Sequence, residues 1–271
     1  MLKLHKSQRI AAILKILTDS PSKVFTLGHF TEMFGVAKST ISEDIDTVRD
    51  LLLKTDQGYI DTIPGASGGI RYVPVLSQAK ISKLLNKLCI ELSEKERILS
   101  GGFIYMLDII YNPEKADEIG RIFASYFFNK NIDYVITVET KGIPLAFSTA
   151  KLLNIPLVIV RHYSEAADGA SVNINYISGT SSRLQTMILP LKALKRNSRL
   201  LFIDDFMKGG GTAKGIKELA KQFECTVEGI GVLVSTSEPS AKLVDDYISL
   251  LTLKSVEERN GIINIVPNAN Y

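Results

Sequence analysis

Two cysteines, Cys89 and Cys225, and three histidines, His5, His29 and His162, are all that 271 residues supply of either type, and tryptophan is absent. Two cysteines cannot build a disulfide framework or a four-cysteine zinc site, and three scattered histidines argue against a histidine metal centre. No metal ligand is therefore assigned. Long apolar runs are missing too: nothing approaches the ~20 apolar residues that span a bilayer. The apolar stretch from Met1 to Leu17 is broken by Lys3, Lys6, Arg9 and Lys15. A secretory signal instead keeps its charges ahead of an unbroken apolar run. These absences predict a cytoplasmic protein. Charge of one sign is scarce: 32 Lys and Arg against 29 Asp and Glu leave +3, too little to announce a nucleic-acid protein by charge alone. Core material is plentiful, with 45% hydrophobic and 23% charged residues, which predicts a folded chain of one large or two ordinary domains.

Periodicity divides the chain into residues 1–74 and 75–271. In the first part Ile10, Ile13, Leu14 and Leu17 recur at helical spacing up to Ser20-Pro21. Thr26 is placed to cap a second short helix carrying Phe30, Met33 and Phe34, and Gly35 supplies a turn. A third helix is predicted over 38–54, with Ile41, Ile45, Val48, Leu51 and Leu52 on one face. Tyr59–Ile63 and Ile70–Val73 then read as strands joined by a glycine-rich tip. In the second part a leucine-rich helix holds Ile81, Leu84, Leu85 and Leu88, either as internal core or as a dimer interface. A further helix follows Asn112-Pro113. From Tyr134 on, apolar strands (134–138, 157–160, 200–203, 227–234) alternate with helices, which predicts an α/β domain with a mostly parallel sheet.

Two helices joined at a glycine turn and followed by a hairpin give the winged helix-turn-helix order, in which the start of the second helix meets base edges. Lys38, Ser39, Thr40 and Ser42 occupy that start, and the free amides of a first helical turn favour an anion. Arg71 on the hairpin and Lys6 on the first helix are further DNA-contact candidates. Nine basic and eight acidic residues in this part nearly cancel, so the acids of the third helix, Asp44 among them, are expected to face away from the duplex. A small helical protein-interaction domain would show the same pattern.

Asp204-Asp205-Phe206-Met207-Lys208-Gly209-Gly210-Gly211-Thr212 carries the clearest chemistry. An apolar strand is expected to end in the two carboxylates, with a glycine turn and a helix from Thr212 after it. Adjacent acids can accept hydrogen bonds from vicinal ribose hydroxyls. Glycine amides and a helix N-terminus suit a phosphate, and strand ends are where open α/β sheets bind ligands. The order of residues is neither a Walker loop nor a dinucleotide fingerprint.

This stretch resembles the phosphoribosyl pyrophosphate (PRPP) motif of type I phosphoribosyltransferases. Thr140-Lys141-Gly142, within Thr137–Pro144, is similar to that family's pyrophosphate loop. The segment from Arg161 to Ser178-Gly179-Thr180 corresponds to its mobile active-site loop and flanks. Tyr105, in a stretch like the hood of xanthine-type enzymes, is a candidate to stack on a base. With the winged helix in front, the whole chain resembles the purine operon regulator (PurR) family of Gram-positive bacteria. The resemblance implies a phosphoribosyltransferase fold kept as a sensor, with no catalytic residue. Its effector would be PRPP, with Mg²⁺ accompanying it and guanosine tetraphosphate competing. A homodimer would bind paired DNA boxes upstream of purine biosynthesis and salvage genes. Phe206, Met207 and Lys208 are bulky where catalytic members carry small residues, which favours a sensor over the alternative, an active xanthine-type transferase with an accessory DNA-binding domain.

Overall fold

The computed structural model describes residues 3–65, 68–163, 169–177 and 184–268. One compact unit reaches Lys80 and a second holds nearly all of the remainder. The first unit extends a few residues past position 74 because Asp56 holds the following segment. Its carboxylate accepts the amide and hydroxyl of Ser77 at 3.1 and 2.5 Å, and its carbonyl accepts Lys80 Nζ at 2.8 Å.

The first unit consists of α1 (Lys6–Asp19), α2 (Leu27–Phe34), α3 (Lys38–Lys54) and the antiparallel hairpin β1 (Tyr59–Ile63) and β2 (Gly69–Val73). Thr26 Oγ1 accepts the His29 amide at 3.2 Å and starts α2, and Gly35 ends it. Ile13 and Leu17, Phe30 and Phe34, and Ile41, Ile45, Val48 and Leu52 enclose one core, completed by Ile60, Ile70 and Tyr72 of the hairpin. Asp44 of α3 is fully buried in that core, where it accepts Arg9 Nε of α1 at 2.8 Å. One acid of α3 is thereby removed from the helix surface.

In the second unit come α4 (Gln78–Leu92), a short ribbon of β3 (Ile98–Leu99) and β4 (Phe103–Ile104), α5 (Leu107–Ile110) and α6 (Pro113–Phe127). The apolar stripe of α4 is internal, with Ile81, Leu85 and Leu88 all buried. Next are β5 (Tyr134–Val138), α7 (Ile143–Leu153), β6 (Leu157–Val160), β7 (Ser171–Ile177), β8 (Leu184–Pro190), β9 (Arg199–Met207), α8 (Gly211–Gln222), β10 (Thr226–Thr236), β11 (Ile248–Glu257) and β12 (Ile262–Pro267). Six strands form one sheet in the order β12-β11-β10-β9-β5-β6, parallel except for the edge strand β12.

Two expectations need correction. First, β9 does not stop at the acids. It runs through Met207, with Asp204 opposite Val232 and Phe206 opposite Val234 of β10, because Met207 is itself buried in the core. Second, the segment matched to the mobile active-site loop and its flanks contains β7, which forms an antiparallel ribbon with β8. Val172, Ile174 and Tyr176 alternate with Ser171, Asn173 and Asn175, and this apolar set packs on the core while the polar set faces outward. Among the described residues no helix is long and apolar enough to cross a membrane.

The sheet order places a ligand crevice. From β5 the chain crosses to β6 on one side, whereas β9, β10 and β11 lie on the other. The switch point is between β5 and β9, and crevices form there, beyond the carboxyl ends of the strands. Pairing of β5 with β9 ends at Ile136 opposite Phe202. Past that point the two strands lead separately into the 139–142 and 208–210 loops.

Candidate functional site

A cleft of about 480 Å³ occupies the switch point. It is lined by Asp204, Asp205, Phe206 and Thr212, by Val138 to Lys141, and by Leu99, Ser100, Phe103, Ile104 and Met106. Oδ1 of Asp204 accepts the Asp205 amide at 3.0 Å. Burial pushes the Asp204 carboxyl well above the ordinary 3.8, the charge of Asp205 adds to this, and Lys141 opposes it. Burial also raises Asp205, again against Lys141. Two neighbouring, half-buried acids whose charged forms are disfavoured are poised for a partner that supplies hydrogen-bond donors or positive charge.

At Gly142 the 139–142 loop packs closely against β5 and β9. A Cβ there would lie 2.5 Å from Thr137 Oγ1 and 2.8 Å from Asp204 Oδ1. Thr137 Oγ1 is buried and, among the described residues, has no hydrogen-bond partner. The Glu139–Thr140 peptide is cis. On the other loop Gly210 caps α8 with φ of 80°, a left-handed conformation that side chains rarely adopt. The first-turn amides of α8 follow directly, the arrangement that receives anions.

Several residues of the cleft and its walls were not singled out as site residues from the sequence, although His162 and Tyr176 lie in the segment matched to the active-site loop and its flanks. The His162 amide donates to Glu139 Oε1 at 2.6 Å. The ring Nδ1 lies 2.8 Å from the Thr186 carbonyl, so in the neutral ring Nδ1 carries the proton and Nε2 accepts. That ring stacks on Tyr176, with centroids 6.5 Å apart. The Tyr176 hydroxyl donates to Gln185 Oε1 at 2.6 Å, and burial pushes its pKa up, opposed by a hydrogen bond with Thr212. Glu258 Oε1 accepts the amides of Gly101 and Gly102, both at 2.9 Å, which fixes the turn of the β3–β4 wall.

Of the expected effector residues, Asp204, Asp205, Phe206, Thr212, Thr140 and Lys141 line the cleft. Met207 is buried in the core, and Lys208, Gly210 and Gly211 line a hollow beside the cleft with Asp204. Gly209 is only partly exposed in the same turn. Tyr105 and Arg161 are not among the lining residues. Phe103 and Ile104 take the wall, while Arg161 bridges Ile188 through its backbone. Ser178, Gly179 and Thr180 lie outside the described residues.

In the first unit, α3 begins without a side-chain cap, so its leading amides are open to an anion. Lys38, Ser39 and Ser42 are exposed there and Thr40 is half-buried. A groove of about 470 Å³ runs between this helix, the start of α2 and the hairpin, lined by Lys38, Ser42, Arg49, Thr26, Gly28 and Gly65 among others. Lys6 is exposed on α1 and is not part of the groove. Arg71 is on the hairpin, partly exposed and ion-paired. Its Nε and Nη2 both donate to Asp61 Oδ2 across the hairpin, at 3.0 and 2.8 Å. Arg49, one helical face along from Lys38 and Ser42, is the basic residue that the groove adds.

The fold and the cleft define a class: a winged helix-turn-helix unit joined to a phosphoribosyltransferase-type α/β unit. Residues 5–74 match the family described as "Bacterial purine repressor, N-terminal", and residues 106–266 match "Phosphoribosyl transferase domain". The chain is 41% identical over 270 residues to the purine biosynthesis transcriptional repressor PurR of Bacillus subtilis, covering 100% of this chain and 94% of that one. It is 34% identical over 262 residues to the purine biosynthesis transcriptional activator PurR of Lactococcus lactis subsp. lactis, covering 97% of each. The crystal structure of adenine phosphoribosyltransferase from Thermoanaerobacter pseudethanolicus shares the fold, with a TM-score of 0.54 at 17% identity over 62% of this chain and 99% of that one. The chain belongs to the PurR family of purine biosynthesis transcriptional regulators.

Proposed function

We propose that this regulator binds DNA through its first unit and PRPP through its second, as an effector and without phosphoribosyl transfer. One observation carries the proposal: Asp204 and Asp205, Lys141 and the amides that open α8 converge around a single cleft at the switch point of the sheet. The acids suit the ribose hydroxyls, the amides of the 208–212 turn suit the 5-phosphate, and the 140–142 loop with its lysine suits the diphosphate. The relatives include a repressor and an activator, so membership of the family fixes no direction of regulation.

Among the described residues no three His, Cys, Asp or Glu side chains come together as a metal site. Asp204 and Asp205 would be the residues to hold a Mg²⁺ ion that accompanied PRPP, and such an ion would offset the charge of the diphosphate. Guanosine tetraphosphate, with its own diphosphates, would compete for the same positions. The absence of transfer is supported by the stretch between the acids and the glycines. Phe206 lines the cleft and Met207 is locked in the core, so this part of the loop is shaped by packing. On DNA the working form is a homodimer, because one module reads too few base pairs to be specific and a two-fold pair spans half-sites about 34–36 Å or a multiple apart.

Calorimetry of the full chain with Mg²⁺ and PRPP, then with guanosine tetraphosphate, tests the cleft. A mobility-shift assay on purine-gene promoters with and without PRPP tests the coupling. Saturable PRPP binding that changes promoter affinity is expected. Nucleotide formation from PRPP and a purine base at more than a few turnovers per second would favour an active transferase instead.

A further inference from the structure

The turn between β9 and α8 has two sides, and they are held differently. The carbonyl of Lys208 accepts Lys242 Nζ at 2.5 Å and Thr236 Oγ1 at 3.4 Å. The carbonyl of Gly209 accepts the Leu243 amide at 2.9 Å. The peptides that follow both residues are trans, so each carbonyl and the next N–H point opposite ways. Drawing the two carbonyls toward 236–243 turns the amides of Gly209 and Gly210 away from that segment. Among the described residues neither amide has an acceptor. They continue into the first-turn amides of α8, and Gly210, Gly211 and Thr212 line one hollow with Asp204. A run of amides aimed the same way is an anion cradle.

The ammonium of Lys242 is fully used behind this cradle. Besides Lys208 it donates to the Thr236 carbonyl at 2.8 Å and to Thr236 Oγ1 at 3.2 Å, one acceptor for each of its three protons. It is half-buried, and Val244, two residues on, is anchored in the core. We infer that Lys242 is a positioning residue for the phosphate of the bound sugar: it touches no ligand itself but fixes the turn in the orientation that presents its amides. This rests on the proposed binding of a phosphorylated ribose in the cleft.

The test compares three ligands on the full chain by calorimetry: PRPP with Mg²⁺, ribose 5-phosphate and pyrophosphate. Pyrophosphate engages the 140–142 loop and serves as the internal control. Lys242→Met is expected to weaken ribose 5-phosphate and PRPP at least ten-fold while pyrophosphate stays within two-fold of wild type. Lys242→Arg, which keeps donors behind the turn, is expected to recover most of the loss. Unchanged ribose 5-phosphate affinity in Lys242→Met, or equal loss for all three ligands, overturns the inference and leaves the cleft assignment standing. A wild-type chain that binds none of the three overturns both. Should Lys242→Met not fold, Thr236→Val removes one acceptor and one donor of the same brace. It must then weaken ribose 5-phosphate selectively, by about three-fold, or the inference fails.

Discussion

At the scale of single residues the cleft trades stability for binding. Asp204 carries a pKa raised by burial and by Asp205, so the unfolded chain ionises first as pH rises. The native state therefore loses stability between the ordinary 3.8 and the raised value, and the deficit persists at neutral pH. Asp204→Asn removes that penalty. Its melting temperature is expected to exceed wild type at pH 7 and to converge with it on acidification toward 3.8, while PRPP binding is lost. Thermal melts across pH check the first part, and a variant no more stable than wild type at pH 7 would show that the acid is not held under strain. Gly142 supplies a second case. An alanine Cβ would overlap Thr137 Oγ1 and Asp204 Oδ1, so Gly142→Ala is expected to cost about 1–3 kcal/mol and to weaken the effector by pushing the 139–142 loop and the Asp204 carboxylate apart. Denaturant titration and calorimetry measure the two effects. The acids, the glycines and Lys141 were legible because strand, acid and glycine lie side by side in sequence. Phe103, His162 and Tyr176 were legible only as members of stretches matched to the hood and the active-site loop, and Lys242 not at all, since it reaches its turn from a segment distant in sequence. Tyr105 shows the same limit from the other direction, because nothing local says that the strand ends at Ile104 and leaves Tyr105 beyond it, outside the lining.

Elements show where local pattern suffices. The helices of the first unit could be read from spacing alone because each buries one stripe in one core. The 171–190 ribbon and the strands after position 247 went unread, although Val172, Ile174 and Tyr176, and later Ile263 and Ile265, alternate as half-buried strands do. That alternation is short in each case, three apolar positions at 172–176 and two at 263–265. The charge pattern of α3 was readable only in part. Its Asp44 is hidden by pairing with Arg9, with side-chain exposures of 1% and 10%, a partner 35 residues away that no local rule supplies. Removing either partner leaves a buried charge, so Asp44→Leu or Arg9→Met alone is expected to cost about 3–5 kcal/mol, while the double replacement restores most of it. Chemical denaturation of the three variants tests this. An additive double variant would mean that the two side chains do not depend on each other. On the outer face of the same helix, Lys38→Ala is expected to weaken DNA of any sequence alike and to reduce the salt slope by about one counterion, which binding titrations over a range of salt concentrations report.

For the molecule as a whole, the two units have separate cores and separate chemistry, and what joins them in function is linkage. If PRPP and DNA both draw on one equilibrium between binding-competent and incompetent forms, the factor by which each alters the other must be the same. Couplings of this kind amount to about 1–3 kcal/mol, or roughly 5–150-fold in affinity. Saturating PRPP with Mg²⁺ is therefore expected to shift the promoter Kd by a factor in that range, in one direction. Saturating promoter DNA must then shift the PRPP Kd by the same factor in the same direction. Asp204→Ala with Asp205→Ala should abolish both shifts together while DNA binding without PRPP remains. Fluorescence anisotropy for DNA and calorimetry for PRPP, in one buffer at one salt concentration, measure the two sides of the cycle. Unequal factors would mean that the ligands act through different states, and a PRPP response surviving in the double variant would place the effector somewhere other than the crevice between β5 and β9.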